Sequence, residues 1–278
     1  MARPDLSYLK NVLLFLFGLP LGLLTGLSGI AASVFVVPGS RALLGLHPAR
    51  AIGTGLVVTF CAALASLPSY GQHQYMRGWL AVILLVGLSI GKRTAQRISV
   101  SGPVSPSLHW LWGTLLTVGG LSMTAQGLGL ISVPSPGLFT LPAATHDLLF
   151  YAAALALALL LGAGSHWMGL GAELVVPAEI YLLGLTAHPA IGTALLVLVL
   201  ASLPGVLVLL RHGQIEPQSA TWLSFGGVLG GLTGALWALS FSQHSLILLY
   251  GLLLTVLGVM RLWKRDEAAA ADIGGTAH

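Results

Sequence analysis

The chain contains the same apolar sequence twice. The first copy, VVPGSRALLGLHPARAIGTGL, begins at Val36, and the second, VVPAEIYLLGLTAHPAIGTAL, begins at Val175. The two copies align without a gap and share 12 of 21 residues. A glycine-rich apolar segment precedes each copy, over residues 22–33 and 162–172. The duplication predicts two homologous repeats whose helices are interrupted at equivalent points, a pattern that marks substrate sites in membrane transporters.

Composition indicates a membrane protein. Hydrophobic residues make up 56% of the chain and charged residues 7%, with a mean hydropathy of +0.91, which leaves too little polar surface to cover a soluble core. Cys61 is the only cysteine and lies in an apolar run, so we expect neither a disulfide framework nor a metal-binding cluster. The net charge of +4 comes from basic residues around the apolar segments, and neither half has a nucleic-acid-binding pattern.

Eight apolar segments are each long enough to cross a hydrocarbon core of roughly 30 Å as an α-helix. We therefore predict an all-α polytopic membrane protein with two four-segment repeats, residues 11–131 and 147–264, and a linker over residues 132–146. Residues 265–278 offer little to bury and are predicted to form a disordered cytoplasmic tail. The segments cover residues 11–38, 49–70, 75–98, 107–131, 147–177, 188–210, 219–241 and 244–264.

The distribution of Lys and Arg distinguishes two membrane topologies. If all eight segments cross, the basic residues divide seven to five between the two sides. If the first segment of each repeat instead enters and returns to its own side, eleven of the twelve share the N-terminal side and only Arg77 lies opposite. The positive-inside rule favours this re-entrant topology, with cytoplasmic termini and an inverted second repeat. Because a segment of about 28 residues makes only a short hairpin, the eight-crossing topology stays open as the alternative.

Glycine clusters precede the proline of each copy. Glycine adopts backbone angles that other residues avoid, and a broken helix exposes N–H groups that attract a small anion, so we predict a helix break at each cluster. Glycines four residues apart in the third and seventh segments indicate close helix packing instead. The clusters are Gly22, Gly26 and Gly29, then Gly162, Gly164, Gly169 and Gly171; the packing pairs are Gly87 with Gly91 and Gly227 with Gly231.

A Gly-Thr pair opens the second segment of each repeat, as Gly53-Thr54 and as Gly192-Thr193. Glycine loosens the local backbone, and the threonine hydroxyl is then free to contact a ligand. The alternative is a helix-start threonine that caps its own backbone, and the sequence leaves both open. His73 and His212 also align and are interpreted as loop or interfacial residues.

These elements resemble the sulfite exporter TauE/SafE family of bacterial inner-membrane permeases. The glycine-rich element falls on residues 29–33 and 169–173, its proline on Pro38 and Pro177, and its Gly-Thr on the two pairs above. The resemblance implies transport, most simply export, of small sulfur-containing or organic anions such as sulfite or sulfonates. Ala31, Ala32 and Ser33 replace three glycines of the family pattern, so the resemblance does not name the substrate. The predicted substrate-binding residues are Ser28, Gly29, Ser33, Gly53, Thr54, Gly169, Gly171, Gly192 and Thr193.

Two acidic residues follow the second glycine-rich element. Glu173 stands in an apolar run where the family pattern has glycine, and intramembrane carboxylates are usually functional. We predict that its protonation couples proton and anion movement, the alternative being an interfacial acid paired with His166 or a backbone amide. Glu179, two residues beyond Pro177, is predicted to be solvated.

Two other classes of protein share features with this sequence. Gly26-Leu27-Ser28-Gly29 matches the GxSG setting of an intramembrane serine protease, but the aligned second copy lacks the serine and no His-x-x-x-Asn element is present. An anion channel would share the fold and differ only in needing no coupled gradient. No Gly-x-x-x-x-Gly-Lys-Ser/Thr sequence is present, so no nucleotide or other cofactor is expected. The sequence therefore predicts a gradient-driven secondary transporter in the bacterial inner membrane, not an enzyme, whose partners are the lipid bilayer and a small anion.

Overall fold

The computed structural model describes residues 6–36, 48–98, 106–131, 148–168 and 173–275, and all regular structure in these ranges is helical. A short helical turn over residues 33–36 follows the first helix. The described helices are α1 Leu6–Ser28, α2 Pro48–Gln72, α3 Gly78–Ile98, α4 Pro106–Gly127, α5 Leu148–Met168, α6 Val175–Tyr181, α7 Ala187–Arg211, α8 Pro217–Ser240 and α9 Gln243–Gly275.

Six of these helices are long and apolar enough to cross a membrane, which confirms the prediction of an all-α polytopic membrane protein. A further apolar helix, Phe150–Ser165, is shorter, so the described residues contain six candidate spans where the sequence predicted eight segments. The linker at 132–146 lies outside the described residues. The helix α9 continues to Gly275, into the tail predicted to be disordered, because the alanines at 268–271 favour helix.

Glycines set the closest helix contact of the bundle, between α1 and α8. A Cβ added at Gly18, Gly22 or Gly26 would collide with the backbone of α8 at Leu223, Gly227 or Gly231 in turn. The contacts advance together along both helices, so α1 and α8 run parallel. They also correct the prediction for Gly22 and Gly26, which lie inside α1 and allow close packing without interrupting the helix.

Glycines also allow close packing in two further helix pairs, α3 with α5 and α4 with α9. Gly87 and Gly91 of α3 lie against Ala158 and Leu159 of α5, so these helices also run parallel. In the same contact Gly162 of α5 meets Leu88, which makes it a packing residue and not a helix break. The packing predicted for Gly87 and Gly91 is confirmed, as it is for Gly227 and Gly231, which face Val58 and Ala62 of α2. The helices α4 and α9 pack antiparallel through Gly113 with Gly258 and Gly120 with Gly251.

These contacts define two ends of the bundle. The helices α1, α2 and α8 begin at one, here called the first end: Asn11 bonds to Gln218 at 2.9 Å, and Thr54 bonds to Glu216 at 3.3 Å. The helices α3, α5 and α7 begin at the opposite, second end, where Arg77 bonds to Thr193 at 3.2 Å. The helix α2 therefore runs parallel to α1, although it follows α1 in the chain.

The chain reverses direction between α1 and α2. Tyr70, near the end of α2, donates to the carbonyl oxygen of Gly26 at 2.9 Å, which places the end of α1 close to the second end. Ser33 then lies beside Thr59, and Val36 beside Gly55, nearer the start of α2. Residues 29–36 thus travel back toward the first end before α2 begins.

Candidate functional site

The first helix breaks at Gly29. Its φ of +71° lies in the left-handed region that favours glycine. The hydroxyl of the buried Ser28 donates to the carbonyl oxygen of Leu24 at 2.6 Å and accepts from the N–H of Ile30 at 3.2 Å. Of the first predicted cluster, only Gly29 interrupts the helix. The two hydrogen bonds of Ser28 link the last turn of α1 to the chain just after the break.

Thr59 of α2 secures the returning chain. Its hydroxyl accepts a hydrogen bond from the N–H of Ser33 at 2.9 Å and donates to the carbonyl oxygen of Gly55 at 2.9 Å. Sequence reasoning missed Thr59, because a threonine one helical turn beyond the Gly-Thr pair resembles any apolar-helix threonine. The predicted site residue Ser33 thus contributes its backbone N–H to the fold.

The break lies against the second Gly-Thr pair. A Cβ at Gly29 would lie 3.3 Å from the carbonyl oxygen of Ile191 and 3.4 Å from the Cβ of Ala194. These α7 residues flank Gly192-Thr193, so the structure brings the break of the first half together with the Gly-Thr pair of the second. Of the remaining glycines of the second cluster, Gly164 lies inside α5 and does not interrupt it, and Gly169 and Gly171 lie outside the described residues.

Each Gly-Thr pair holds a loop from the other half of the chain. The hydroxyl of Thr193 accepts from the N–H of Arg77 at 3.2 Å, and that of Thr54 accepts from the N–H of Glu216 at 3.3 Å. This cross-half contact is a role that neither sequence interpretation included. Each hydroxyl still has its own hydrogen to donate, so a ligand contact by Thr54 or Thr193 stays a prediction.

Glycine is required in both pairs because a carbonyl group fills the space beside it. A Cβ at Gly53 would collide with the carbonyl oxygen of Gln214, and one at Gly192 with that of Tyr75. Equivalent positions of the two repeats are 139 residues apart. By this offset Gly53 and Thr54 correspond to Gly192 and Thr193, and Tyr75 and Arg77 correspond to Gln214 and Glu216. The two contacts are therefore equivalent, with the halves exchanged.

The loops held by these pairs, residues 73–77 and 212–216, have a similar backbone conformation. Gln74 and Gly213 both have positive φ, +57° and +65°. His73 and His212 lie in these loops, as predicted, and both are exposed. The Nδ1 atom of His73 lies 2.9 Å from the carbonyl oxygen of Ser69, and that of His212 lies 2.7 Å from that of Val208.

Charge distinguishes the two loops. Arg77, at the second end, is exposed. Its equivalent at the first end is Glu216, which pairs with Arg50 at 3.4 Å. Tyr75 stacks between the rings of His73 and His188, with centroids 5.8 Å and 5.1 Å away. One loop therefore presents an arginine beside an aromatic stack, and the other presents a surface ion pair.

Both acidic residues near α6 are buried. Glu173 is 3% exposed, and its backbone carbonyl oxygen accepts from the hydroxyl of Tyr250 at 2.7 Å. The prediction that Glu179 is solvated is wrong, since that residue is 0% exposed. The helix continues past Pro177 to Tyr181, so Glu179 shares the buried face of Val175 and Val176.

The Glu179 carboxylate has no hydrogen-bond partner for either oxygen among the described residues. Within the part of the chain that the structure describes, no three His, Cys, Asp or Glu side chains are close enough to hold a metal ion. The groups that these contacts bring together near the second end are Gly29, Thr193 and Arg77.

Comparison with known proteins agrees with this picture. The family model described as "Sulfite exporter TauE/SafE" matches residues 2–123 and 153–277. A "Probable membrane transporter protein" of Xylella fastidiosa (strain Temecula1 / ATCC 700964) is 29% identical over 252 residues, which cover 87% of this chain and 91% of the relative. A protein of the same name from strain 9a5c has the same identity and coverage.

No solved structure matches the chain. The family match extends over most of the sequence and agrees with a helical bundle that contains six candidate spans. The interpretation of Ser28 as a protease nucleophile is therefore set aside, because the matching family and relatives are transporters. The chain belongs to the sulfite exporter TauE/SafE family and is a multi-pass membrane transporter, not an enzyme.

Proposed function

We propose that the protein is a gradient-driven secondary transporter, most simply an exporter, of small sulfur-containing or organic anions such as sulfite or sulfonates. The observation that carries the proposal is the helix break at Gly29, which lies against the second Gly-Thr pair in the buried centre of the bundle. Backbone freed from a helix is tolerated at membrane depth only where protein buries it or water reaches it. The N–H groups of Ile30 and Ser33 are bonded to Ser28 and Thr59, and we assign the small anion to the N–H groups between them, at the start of the helical turn 33–36.

We propose further that the two halves are inverted repeats with re-entrant first segments. Support comes from helix direction: α1 and α2 both begin at the first end, whereas α5 and α7 both begin at the second. The exchanged Gly-Thr contacts support the same symmetry. In this arrangement α1 with residues 29–36, and α5 with α6, are the paired interrupted segments, and relative movement of the halves exposes the anion to each side in turn.

The first end is proposed to face the bacterial cytoplasm. The positive-inside rule assigns the end richer in Lys and Arg to that compartment. Arg77 is the single basic residue at the second end among the described residues. The Lys and Arg residues of the described ranges that lie at the first end are Lys10, Arg50, Lys92, Arg93, Arg97, Arg211, Arg261, Lys264 and Arg265.

A ligand screen tests the transporter proposal. Purified protein is heated in detergent with sulfite, sulfate, thiosulfate, methanesulfonate or small carboxylates, because an anion that binds the folded state raises its apparent melting temperature. Binding anions are then followed into proteoliposomes under an imposed gradient. Stabilisation and gradient-dependent uptake of at least one anion are expected; a channel would carry the same anion without a coupled gradient, and no binding by any of them contradicts the proposal.

A matched pair of glycine variants localises the site. Gly29 and Gly129 have nearly the same positive φ, +71° and +72°, but Gly129 has open space around its Cα and Gly29 faces α7. Gly29→Ala and Gly129→Ala should therefore lower the stability of the fold by the same backbone strain, about 1 kcal/mol. Only Gly29→Ala is expected to lose anion binding; equal loss in both variants would place the site elsewhere.

A further inference from the structure

The buried Glu179 has no role in the anion site described so far. Its side chain is 0% exposed, and neither carboxyl oxygen has a hydrogen-bond partner among the described residues. An ionised carboxylate in such a place is strongly unfavourable unless hydrogen bonds or a counter-ion replace its hydration. The neutral acid loses far less solvation on burial. The surroundings of Glu179 therefore favour the protonated side chain.

The immediate neighbours of Glu179 are apolar. Val175 and Val176 lie four and three positions before it on the same face of α6, and they are 2% and 0% exposed. Both belong to the main hydrophobic cluster of the bundle, as do Leu183 and Leu185 beyond the helix. The backbone carbonyl oxygen of Glu179 accepts from the N–H of Leu185 at 3.0 Å. The main chain thus keeps this residue in the core, although its side chain is polar.

The helices packed against α6 offer Glu179 no ion pair among the described side chains. These helices are α5 and α7. Tyr151 is the titratable residue of α5 whose side chain is described. On α7, the His188 ring is stacked on that of Tyr75, and Arg211 lies at the first end, where the helix finishes. None of these groups provides a counter-ion for the carboxyl group.

The other titratable groups of this region are engaged elsewhere or exposed. Tyr181 donates to a side-chain oxygen of α4 at 2.7 Å, and Tyr250 donates to the backbone carbonyl oxygen of Glu173 at 2.7 Å. Glu173 is itself acidic and buried, so it offers no positive charge. Arg77 is exposed, and no ion pair joins it to Glu179 among the described residues. Within this part of the chain, a bound proton is the remaining way to neutralise the carboxyl group.

Glu179 lies on a segment that is suited to movement. The helix α6 has only seven residues, and Gly184, three residues beyond its end, has a φ of +68°. Large movements in proteins are absorbed by a few residues at the ends of such elements. In the transport cycle proposed above, α5 with α6 is one of the two interrupted segments, and the surroundings of these segments change between the two states. Glu179 therefore stands where a change of exposure accompanies transport.

We propose that Glu179 is the proton-binding residue that couples this transporter to a proton gradient. It carries a proton in the conformation described here and releases that proton to water when α6 becomes exposed. Because the buried conformation binds a proton that the exposed one releases, its population falls as the pH rises. The inference rests on the proposed secondary transport and adds the coupling ion to it. The role that the sequence predicted for Glu173 is thereby assigned to Glu179.

Infrared spectroscopy tests the protonation without any anion. Exposed Asp and Glu side chains are ionised at about pH 7, so a carboxylic-acid C=O band at that pH reports a buried protonated acid. The band is expected in the wild type and in Glu216→Gln, and its intensity should fall in Glu179→Gln. Glu216 is the matched control because its carboxylate is partly exposed and paired with Arg50. A wild-type spectrum without this band, or a band that is lost in Glu173→Gln and kept in Glu179→Gln, overturns the proposal.

Transport provides the second test. Glutamine copies the shape of the neutral acid but binds no proton, so Glu179→Gln should carry methanesulfonate into proteoliposomes at a rate that does not depend on pH. Methanesulfonate is a suitable probe because its own charge is constant across neutral pH. The wild-type rate is expected to fall about tenfold between about pH 6 and about pH 8, and the rate of Glu216→Gln should follow it. A pH-sensitive dye inside the vesicles should report proton movement in these two proteins and none in Glu179→Gln.

The two measurements separate this inference from the proposed function. Wild-type uptake of methanesulfonate without proton movement, or a Glu179→Gln variant with the wild-type pH profile, overturns the proton coupling and leaves anion transport standing. Absence of methanesulfonate uptake counts against the proposed anion transport, while the infrared spectrum still decides the protonation of Glu179. If Glu179→Gln does not fold, the wild-type infrared band and the wild-type proton movement decide, and the absence of either overturns the proposal.

Discussion

The loops at 73–77 and 212–216 have the same backbone and opposite charge. Both have a positive φ at the equivalent residue, and both are held by a threonine hydroxyl from the other half of the chain. Arg77 is nevertheless exposed and positively charged at the second end, while Glu216 pairs with Arg50 at the first. The duplicated scaffold was kept, and the side chains on it diverged.

This difference separates structural residues from those that give the site its chemistry. Gly-Thr occurs in both halves because a close carbonyl and an N–H donor must be accommodated in both. Arg77 and the buried Glu179 each occur in one half only, since Glu216 and Ser40 stand at the equivalent positions. Residues shared by the repeats therefore indicate the scaffold, and residues that differ are the first candidates for the chemistry of the site.

The largest expected effect concerns the side of the membrane on which each loop lies. His73 and His212 are exposed, equivalent residues at opposite ends of the bundle, and Cys61 is the only cysteine of the chain. In a Cys61→Ala background, His73→Cys should react with a membrane-impermeant thiol reagent in intact cells. His212→Cys should react only after the cells are permeabilised. Equal labelling of both before permeabilisation would contradict the inverted topology.

The second effect concerns the glycine of each pair. Gly53→Ala and Gly192→Ala place a methyl group against the carbonyl oxygens of Gln214 and Tyr75, so each should destabilise the protein by about 1–3 kcal/mol. Gly119→Ala is the control, because Gly119 lies inside α4 with nothing within 4 Å. That change should raise stability by about 1 kcal/mol through helix propensity. Melting in detergent measures all three; destabilisation of only one half would show that the two loops are not held in the same way.

Sequence reasoning found the positions of this site better than their roles. The duplication identified both Gly-Thr pairs and the break at Gly29, because recurrence in one chain is visible without a structure. It could not identify the partners of Thr54 and Thr193, which lie 162 and 116 residues away and in the other half of the chain. Such contacts depend on how the halves pack, and no local pattern encodes them.

The errors have a similar physical origin. Gly22 and Gly26 are spaced by about one helical turn, a spacing that favours helix packing, but their closeness to Gly29 made them resemble part of one helix break. Glu179 was expected in water because it follows a proline near the end of an apolar run. In the structure α6 continues through Pro177 and turns that residue inward, which neither hydropathy nor proline position predicts.

The smallest effect separates the two threonines. Thr54→Val and Thr193→Val keep the side-chain shape but leave the N–H of Glu216 or Arg77 without its acceptor, so each should lower the free energy of unfolding by about 1 kcal/mol. Thr233→Val is the control, since that exposed hydroxyl bonds only to its own helix. Because the break at Gly29 lies beside Thr193 and not beside Thr54, Thr193→Val should also weaken methanesulfonate binding several-fold, whereas Thr54→Val should not. Equal losses of affinity in both variants would indicate that the two hydroxyls contact the anion directly, as symmetric ligands, and would contradict a site centred on the break at Gly29.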